Sequence, residues 1–296
     1  VTNPPQEWQV AGLLKTTAEF FASKGVDEAR LGAELLLSSV LGVERIELYL
    51  QYERPVYADE LERFRALCRE RLAGRPVQYI IGEQWFYGQP FTVDSRVLIP
   101  RPETELLVEH ALELLAADAA APPGGPRILD AGTGSGCIAV TMALRNPDLC
   151  ADGIDLSEGA LEIAAANARR HGVSGRVSFW HGDMTDASLS LPAAPYDMIV
   201  SNPPYIPEAE WPELQREVRD HEPRLALTVP QGMECYRALA AAAGRLLRPG
   251  GRIALEIHAD GAAGVQALLA EAGLLEISVT KDYSGHDRIV SGRRPA

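Results

Sequence analysis

The sequence predicts an α/β protein in which a mostly parallel sheet, covered by helices, follows a small all-helical N-terminal domain. Three observations predict it. The 296 residues exceed the roughly one to two hundred of a single domain. The first 75 residues show only helical periodicity, and from residue 127 short apolar runs alternate with helical stretches.

Val10, Leu13, Leu14, Thr17, Ala18 and Phe21 recur at helical spacing, and Gly25 behind them is a stop. Asp27 is expected to cap a second helix that runs to Gly42; a third covers 45–51 and a fourth 59–74. Between Pro76 and Pro100 the β-branched and aromatic runs Tyr79-Ile80-Ile81, Trp85-Phe86-Tyr87 and Phe91-Thr92-Val93, around Gly88-Gln89, predict a β-hairpin linker. Residues 103–118 read as a helix with Leu106, Leu107, Ala111, Leu114 and Leu115 on one face, and 122–126 as a Pro/Gly loop. Strands are expected at 127–130, 152–155, 177–180, 196–200 and 252–257, with helices at 157–171 and 233–247. The domains expected are 1–75, helical; 76–100, the hairpin linker; and 101–296, the α/β domain.

Apolar residues at 46% and charged residues at 23% exclude a wholly disordered chain. The net charge is −13, of which −2 lies on residues 1–75 and −11 beyond them. That is the wrong sign for a protein whose main partner is a long phosphate backbone, because such affinity comes from Lys and Arg displacing counterions. Cys68, Cys137, Cys150 and Cys235 form no C-x-x-C pair and the six histidines no metal-binding spacing, so free thiols, a reducing cytoplasm and no metal are expected. No apolar run approaches the roughly 20 residues of a membrane span, and the N-terminus, with Glu7 and no basic stretch, does not read as a signal peptide. A soluble cytoplasmic monomer with no membrane partner is the expectation.

Asp130-Ala131-Gly132-Thr133-Gly134-Ser135-Gly136 follows a strand and opens a helix, where glycines let the backbone approach a ligand and helix N–H groups face it. Its spacing is G-x-G-x-G rather than the dinucleotide G-x-G-x-x-G, and Asp155 ends the next strand, placed to accept both hydroxyls of a ribose. This pattern resembles the S-adenosylmethionine site of Rossmann-like methyltransferases; a tight turn without a ligand is the plainer alternative. In such folds an acid and an apolar side chain after the third strand meet the adenine, and Asp183 and Met184 hold those positions, although an exposed loop Asp is common.

Asn202-Pro203-Pro204-Tyr205 directly follows the fourth strand. Two prolines have no N–H to offer, and Pro203 drives Asn202 out of the α region, so the loop presents carbonyl oxygens and the Asn carboxamide. A planar –NH₂ group fits it: the Asn202 side-chain oxygen and the Pro203 carbonyl accept its two N–H bonds and aim the nitrogen at a methyl sulfonium. No separate general base is required for that. An amide nitrogen is a poor nucleophile because its lone pair is delocalised, so contacts that favour pyramidalisation count most in the transition state. Tyr205 is placed to add ring contacts to the nitrogen and the sulfonium. Asn202, Pro203 and Tyr205 are therefore the candidate catalytic residues, Pro204 joins them in binding substrate, and Asn202 also borders the cofactor.

With this loop, the stretch Leu98-Ile99-Pro100-Arg101-Pro102-Glu103-Thr104-Glu105, Gly82 to Phe86 with Gly88 and Phe91, Glu222-Pro223 with Leu225-Ala226-Leu227, and Asp287-Arg288-Ile289-Val290, the chain resembles the release-factor glutamine methyltransferases, the HemK-type family, over nearly its whole length. The resemblance implies a Rossmann-like S-adenosylmethionine-dependent methyltransferase domain behind a small N-terminal helical domain and a β-hairpin linker. It implies methyl transfer to the glutamine side-chain amide in the Gly-Gly-Gln loop of class-one peptide chain release factors. Carried over by position, it assigns Gly132, Thr133, Gly134, Ser135, Gly136, Asp155, Asp183 and Met184 to S-adenosylmethionine, and Asn202, Pro203, Pro204 and Tyr205 to the glutamine amide. The chain departs from the family at Met184, often an aromatic; at Thr228-Val229-Pro230-Gln231-Gly232, usually Gly-rich; and at His258, often Gly. Residues 101–105 either cap the following helix and border the cofactor pocket or fix the hairpin against the catalytic domain.

Two rivals stand beside this reading. An adenine-amine methyltransferase of DNA or RNA uses the same loop, because the exocyclic amine of adenine is also a planar –NH₂ group. The acidic run Glu208, Glu210, Glu213, Glu217, Asp220 and Glu222, against only Arg216 and Arg219, is expected to repel phosphates there. A non-catalytic binding protein of the same fold is the other rival, against which the intact Gly132–Gly136, Asp155 and Asn202–Tyr205 argue.

Overall fold

A computed structural model describes residues 8–117 and 124–296, and these divide into two compact units. One holds the chain up to Glu83 together with Gln215–His221; the other holds Gln84–Leu214 and Glu222–Ala296. Asp118, Pro122 and Pro123, and with them part of the expected helix end and loop, lie outside the described residues.

In the first unit a short strand β1 (Trp8–Gln9) leads into α1 (Val10–Ser23), α2 (Ala29–Leu41) and α3 (Arg45–Leu50), then β2 (Pro55–Val56), α4 (Ala58–Leu72) and α5 (Val77–Ile81). The apolar stripes of α1, α2 and α4 meet in a core of Leu13, Leu14, Phe21, Leu36, Leu37 and Phe64. Three details correct the expectation. The block is not wholly helical, since β1 pairs antiparallel with β2. Asp27 does not cap α2; that position is Glu28, left-handed at φ 48° and without a side-chain cap. Tyr79-Ile80-Ile81 forms no strand but one helical turn, begun by extended Pro76 and ended by Gly82 at φ 76°.

Gln215–His221 joins this unit through α9 (Arg216–His221). The guanidinium of Arg71, 6% exposed, donates to Glu217 at 2.5 Å and to the Arg75 carbonyl at 3.1 Å.

The second unit opens at Gln84, within the hairpin of β3 (Glu83–Phe86) and β4 (Gln89–Thr92), turned by Tyr87 and Gly88, both at positive φ as the two-residue turn requires. After α6 (Pro102–Ala117) the strand–helix alternation begins: β5 (Arg127–Ala131), α7 (Cys137–Arg145), β6 (Cys150–Asp155), α8 (Glu158–Arg170), β7 (Val177–His181) and β8 (Tyr196–Ser201). The chain continues through β9 (Ile206–Pro207), β10 (Thr228–Val229), α10 (Glu234–Leu246), β11 (Leu247–Glu256), α11 (Ala262–Glu271), β12 (Leu275–Lys281) and β13 (Asp287–Arg293). Seven strands make one sheet in the order β12-β13-β11-β8-β5-β6-β7, parallel except for β13. Its central strands are buried on both faces, which is why β5 and β8 read as mostly apolar, with Asp130, Asp197 and Ser201 the buried polar exceptions. Helices α6, α7 and α8 cover one face around Leu107, Ile138 and Met142; α10 and α11 cover the other around Tyr236, Leu239 and Leu269. Strands β12 and β13 were not anticipated, because Ser291 and Gly292 interrupt the pattern of β13 although it is clamped between two partners.

Candidate active site

Four strand ends deliver the chemistry to the carboxyl edge of the sheet, where ligands of such folds bind. Beyond β5, the Gly132 and Thr133 amides both donate to the Ile154 carbonyl at 2.9 Å, tying the loop to β6. Gly132, Gly134 and Gly136 sit at φ 76°, 53° and 78°, a region that side chains strain to adopt, and an added Cβ on Gly134 meets nothing within 4 Å. The loop therefore keeps a bare backbone beside open space at the helix start, which fits a cofactor that needs close approach. Thr133 and Ser135 are 3% and 2% exposed and serve the loop's interior: the Thr133 hydroxyl donates to Asp130 at 2.7 Å, and Ser135 offers its carbonyl to Asn167. Asp130 is fully buried, and burial pushes its carboxyl up to about 7. One of its oxygens takes Thr133 and the Ala139 amide; the other has no partner among the described residues.

Asp155 ends β6 with one oxygen accepting the Gly134 amide and the other the Ser157 amide, both at 2.9 Å. Burial raises its pKa above the ordinary aspartate value, and these amides pull the other way. Each oxygen keeps a second lone pair, as capture of a diol requires. Asp183 accepts the amide and hydroxyl of Thr185 at 2.7 Å, a local turn. Met184 does reach the loop, since a Cβ on Gly132 falls 2.7 Å from its methyl carbon.

Asn202-Pro203-Pro204-Tyr205 leaves β8 from Ser201, whose hydroxyl donates to the Ala131 carbonyl at 2.5 Å and so joins this loop to the glycine loop. A small cleft is lined by Leu98, Arg101, Asn202, Pro203, Pro204 and Tyr205, closed by Ile206, Ala226 and Leu227. The Tyr205 phenol is pushed up to about 12 by burial and by the Glu256 carboxylate, so it stays neutral. Asn202 donates its amide nitrogen to the Thr104 hydroxyl at 3.1 Å, and Thr104 donates to Glu256 at 2.7 Å. Register explains the meeting: Leu255 of β11 pairs with Ser201 of β8, so Glu256 and Asn202 are the next residues on adjacent strands.

The sequence reading missed Thr104 and Glu256 as parts of the site, although Thr104 stood within a singled-out stretch. Residues 101–105 divide their work. Arg101 donates to buried Glu222 at 2.6 Å, Thr104 reaches the Asn202 loop, and Glu105 accepts the Tyr87 amide of the hairpin turn at 2.7 Å. Glu222 also accepts the Ile99 amide at 3.2 Å, which fixes the cleft wall. Two of the three departures from the family pattern lie against Tyr205: the His258 ring is 6.0 Å from its ring, and a Cβ on Gly232 falls 2.8 Å from its carbonyl oxygen.

The acidic run does not behave as one repulsive field. Glu208 pairs with Arg224, Glu217 with Arg71, Asp220 with Arg216 and Arg219, and Glu222 with Arg101. Much of its charge is neutralised, and Gln215–His221 belongs to the helical unit.

Known proteins match both units. A model described as the PrmC N-terminal domain matches residues 12–82, and one described as a methyltransferase domain matches residues 124–279. The chain is 56% identical over 290 residues to the release factor glutamine methyltransferase of Chlorobaculum tepidum, covering 97% of this chain and 98% of that one. It is 40% identical over 294 residues to the release factor glutamine methyltransferase of Geobacter sulfurreducens, covering 99% of each. A solved methyltransferase from Pyrococcus furiosus superposes with a TM-score of 0.51 at 17% identity, over 71% of this chain and 91% of that one, a likeness of fold alone. With relatives of that identity aligned along nearly its whole length, the chain belongs to the release factor glutamine methyltransferase family.

Proposed function

We propose that this chain methylates the side-chain amide nitrogen of the glutamine in the Gly-Gly-Gln loop of class-one peptide chain release factors. S-adenosylmethionine is the cofactor, and when bound it supplies an electrophilic methyl group. The observation that carries the reading is the commitment of the Asn202 amide nitrogen to Thr104, which leaves the side-chain oxygen as the acceptor for an incoming –NH₂ group. With the Pro203 carbonyl it takes both N–H bonds, orients the lone pair and favours the pyramidal nitrogen of the transition state. Pro204 and Tyr205 complete the substrate wall. Gly132, Thr133, Gly134, Ser135 and Gly136 bind the cofactor by backbone approach, Asp155 takes its ribose hydroxyls, and Asp183 and Met184 take its adenine.

The helical unit, which extends beyond the expected 1–75 to Glu83 and takes in Gln215–His221, acts as the recognition domain for the protein substrate, and the second unit, which begins inside the expected 76–100 linker, acts as the catalytic domain. The chain works as a cytoplasmic monomer, with neither membrane nor nucleic acid as its main partner. No helix among the described residues is long and apolar enough to cross a membrane. Since much of the acidic run is paired, the choice of glutamine over adenine rests on the near-full-length family relation rather than on charge.

Labelled methyl transfer tests the reading on a release factor, on the same factor with its loop glutamine replaced, and on duplex and single-stranded DNA. Label should enter the first substrate alone; label in DNA but not in the factor would refute it. Asn202→Ala should abolish most turnover while cofactor affinity, read by calorimetry, changes little.

A further inference from the structure

We infer that Thr104 and Glu256 are positioning residues that set which end of the Asn202 carboxamide faces the substrate. This role rests on the proposed task of Asn202 in accepting hydrogen bonds from the substrate amide.

A carboxamide is nearly symmetric in shape and opposite in chemistry at its two ends. Turned by half a rotation, Asn202 would point N–H donors at a substrate group that is itself a donor. Something must hold it one way round, and the two buried groups behind it do so. Thr104 is 3% exposed and Glu256 2% exposed, so bulk water does not compete. A threonine hydroxyl has one proton. Here that proton goes to the Glu256 carboxylate at 2.7 Å, and a carboxylate has none to return. Thr104 therefore has only lone pairs left for its other neighbour, 3.1 Å away, and of the two ends of Asn202 only the nitrogen can supply a proton. The anion fixes the polarity of the whole row, carboxylate to hydroxyl to carboxamide, and the free oxygen is left facing outward.

The fold brings these three together from the first turn of α6, the last residue of β11 and the residue after β8. Helix capping does not account for Thr104. It is the third residue of α6, its backbone amide bonds to the Arg101 carbonyl, and its hydroxyl is turned away to Glu256.

The test compares Thr104→Val, Thr104→Ser, Asn202→Ala and the Thr104→Val/Asn202→Ala double variant with unmethylated release factor, above neutral pH where Glu256 is ionised. Thr104→Val keeps the side-chain shape and removes the hydroxyl. It should lower kcat at least about tenfold, because the carboxamide is then free to turn, and leave the Kd of the demethylated cofactor within about twofold. Thr104→Ser should restore most of kcat, and in the Asn202→Ala background Thr104→Val should cost nothing further. A full kcat for Thr104→Val alongside an inactive Asn202→Ala would overturn the positioning role and spare the site. Full turnover by Asn202→Ala would overturn the site reading and this role with it. A merely structural contribution would show as a Thr104→Val loss that persists undiminished in the double variant, and that too would overturn the role.

Discussion

Glu256→Gln should abolish the pH dependence that this one carboxyl imposes on stability. Glu256 is 2% exposed, and burial dominates its titration. The Thr104 hydrogen bond and the Arg288 and Arg101 guanidiniums favour the charged form, neighbouring Glu103 opposes it, and the result is a pKa pushed from 4.5 up to about 7. Between those values the folded chain holds a proton that the unfolded chain has released, so stability falls as pH rises. The carboxyl's contribution is most favourable below about 4.5 and is lost by about 7. At about 1.4 kcal/mol per pH unit, that interval is worth about 3 kcal/mol. Glutamine keeps the shape and does not titrate. Urea unfolding of both proteins across the interval, with unchanged m, should show the variant gaining on the parent by about 3 kcal/mol from the acid to the alkaline end. Parallel profiles would refute the reasoning and would mean that Arg288 and Arg101 hold Glu256 ionised throughout.

Two further perturbations probe the cofactor side. Gly153→Ala would place a Cβ 2.7 Å from the Phe179 ring and 2.8 Å from the Thr133 hydroxyl. It should cost about 1–3 kcal/mol in urea unfolding and weaken binding of the demethylated cofactor, because Thr133 must move; wild-type values for both would contradict the crowding. Asp155→Ala removes the acceptor of the Gly134 and Ser157 amides as well as the proposed ribose contact, so calorimetry should show Kd raised at least about tenfold. An unchanged Kd would remove Asp155 from the cofactor site.

The parallel strands were legible because central strands buried on both faces leave short apolar runs, as in Met198-Ile199-Val200. The glycine and proline loops were legible because their residue types restrict the backbone. Tyr79-Ile80-Ile81 misled because β-branched and aromatic propensity is weak evidence over three residues, and Pro76 and Gly82 bracket a helical turn. Thr104 and Glu256 carry no local mark. A threonine in a first helical turn looks like a cap and a glutamate in a strand looks ordinary; their relation to Asn202 exists only once β8 and β11 lie side by side. The acidic run failed as a charge argument for the same reason, since Arg71, Arg101 and Arg224 neutralise it and two of them are far away in sequence.

The helical unit is not a cassette. Its last piece, Gln215–His221, is encoded in the middle of the catalytic unit, so no single cut in the chain or the gene separates the two. Removing the leading 75 residues deletes Arg71 and strands Glu217, while expressing them alone leaves the Arg71 guanidinium, 6% exposed in the intact unit, without its carboxylate. A recombinant that exchanges helical domains between relatives therefore needs α9 exchanged with them.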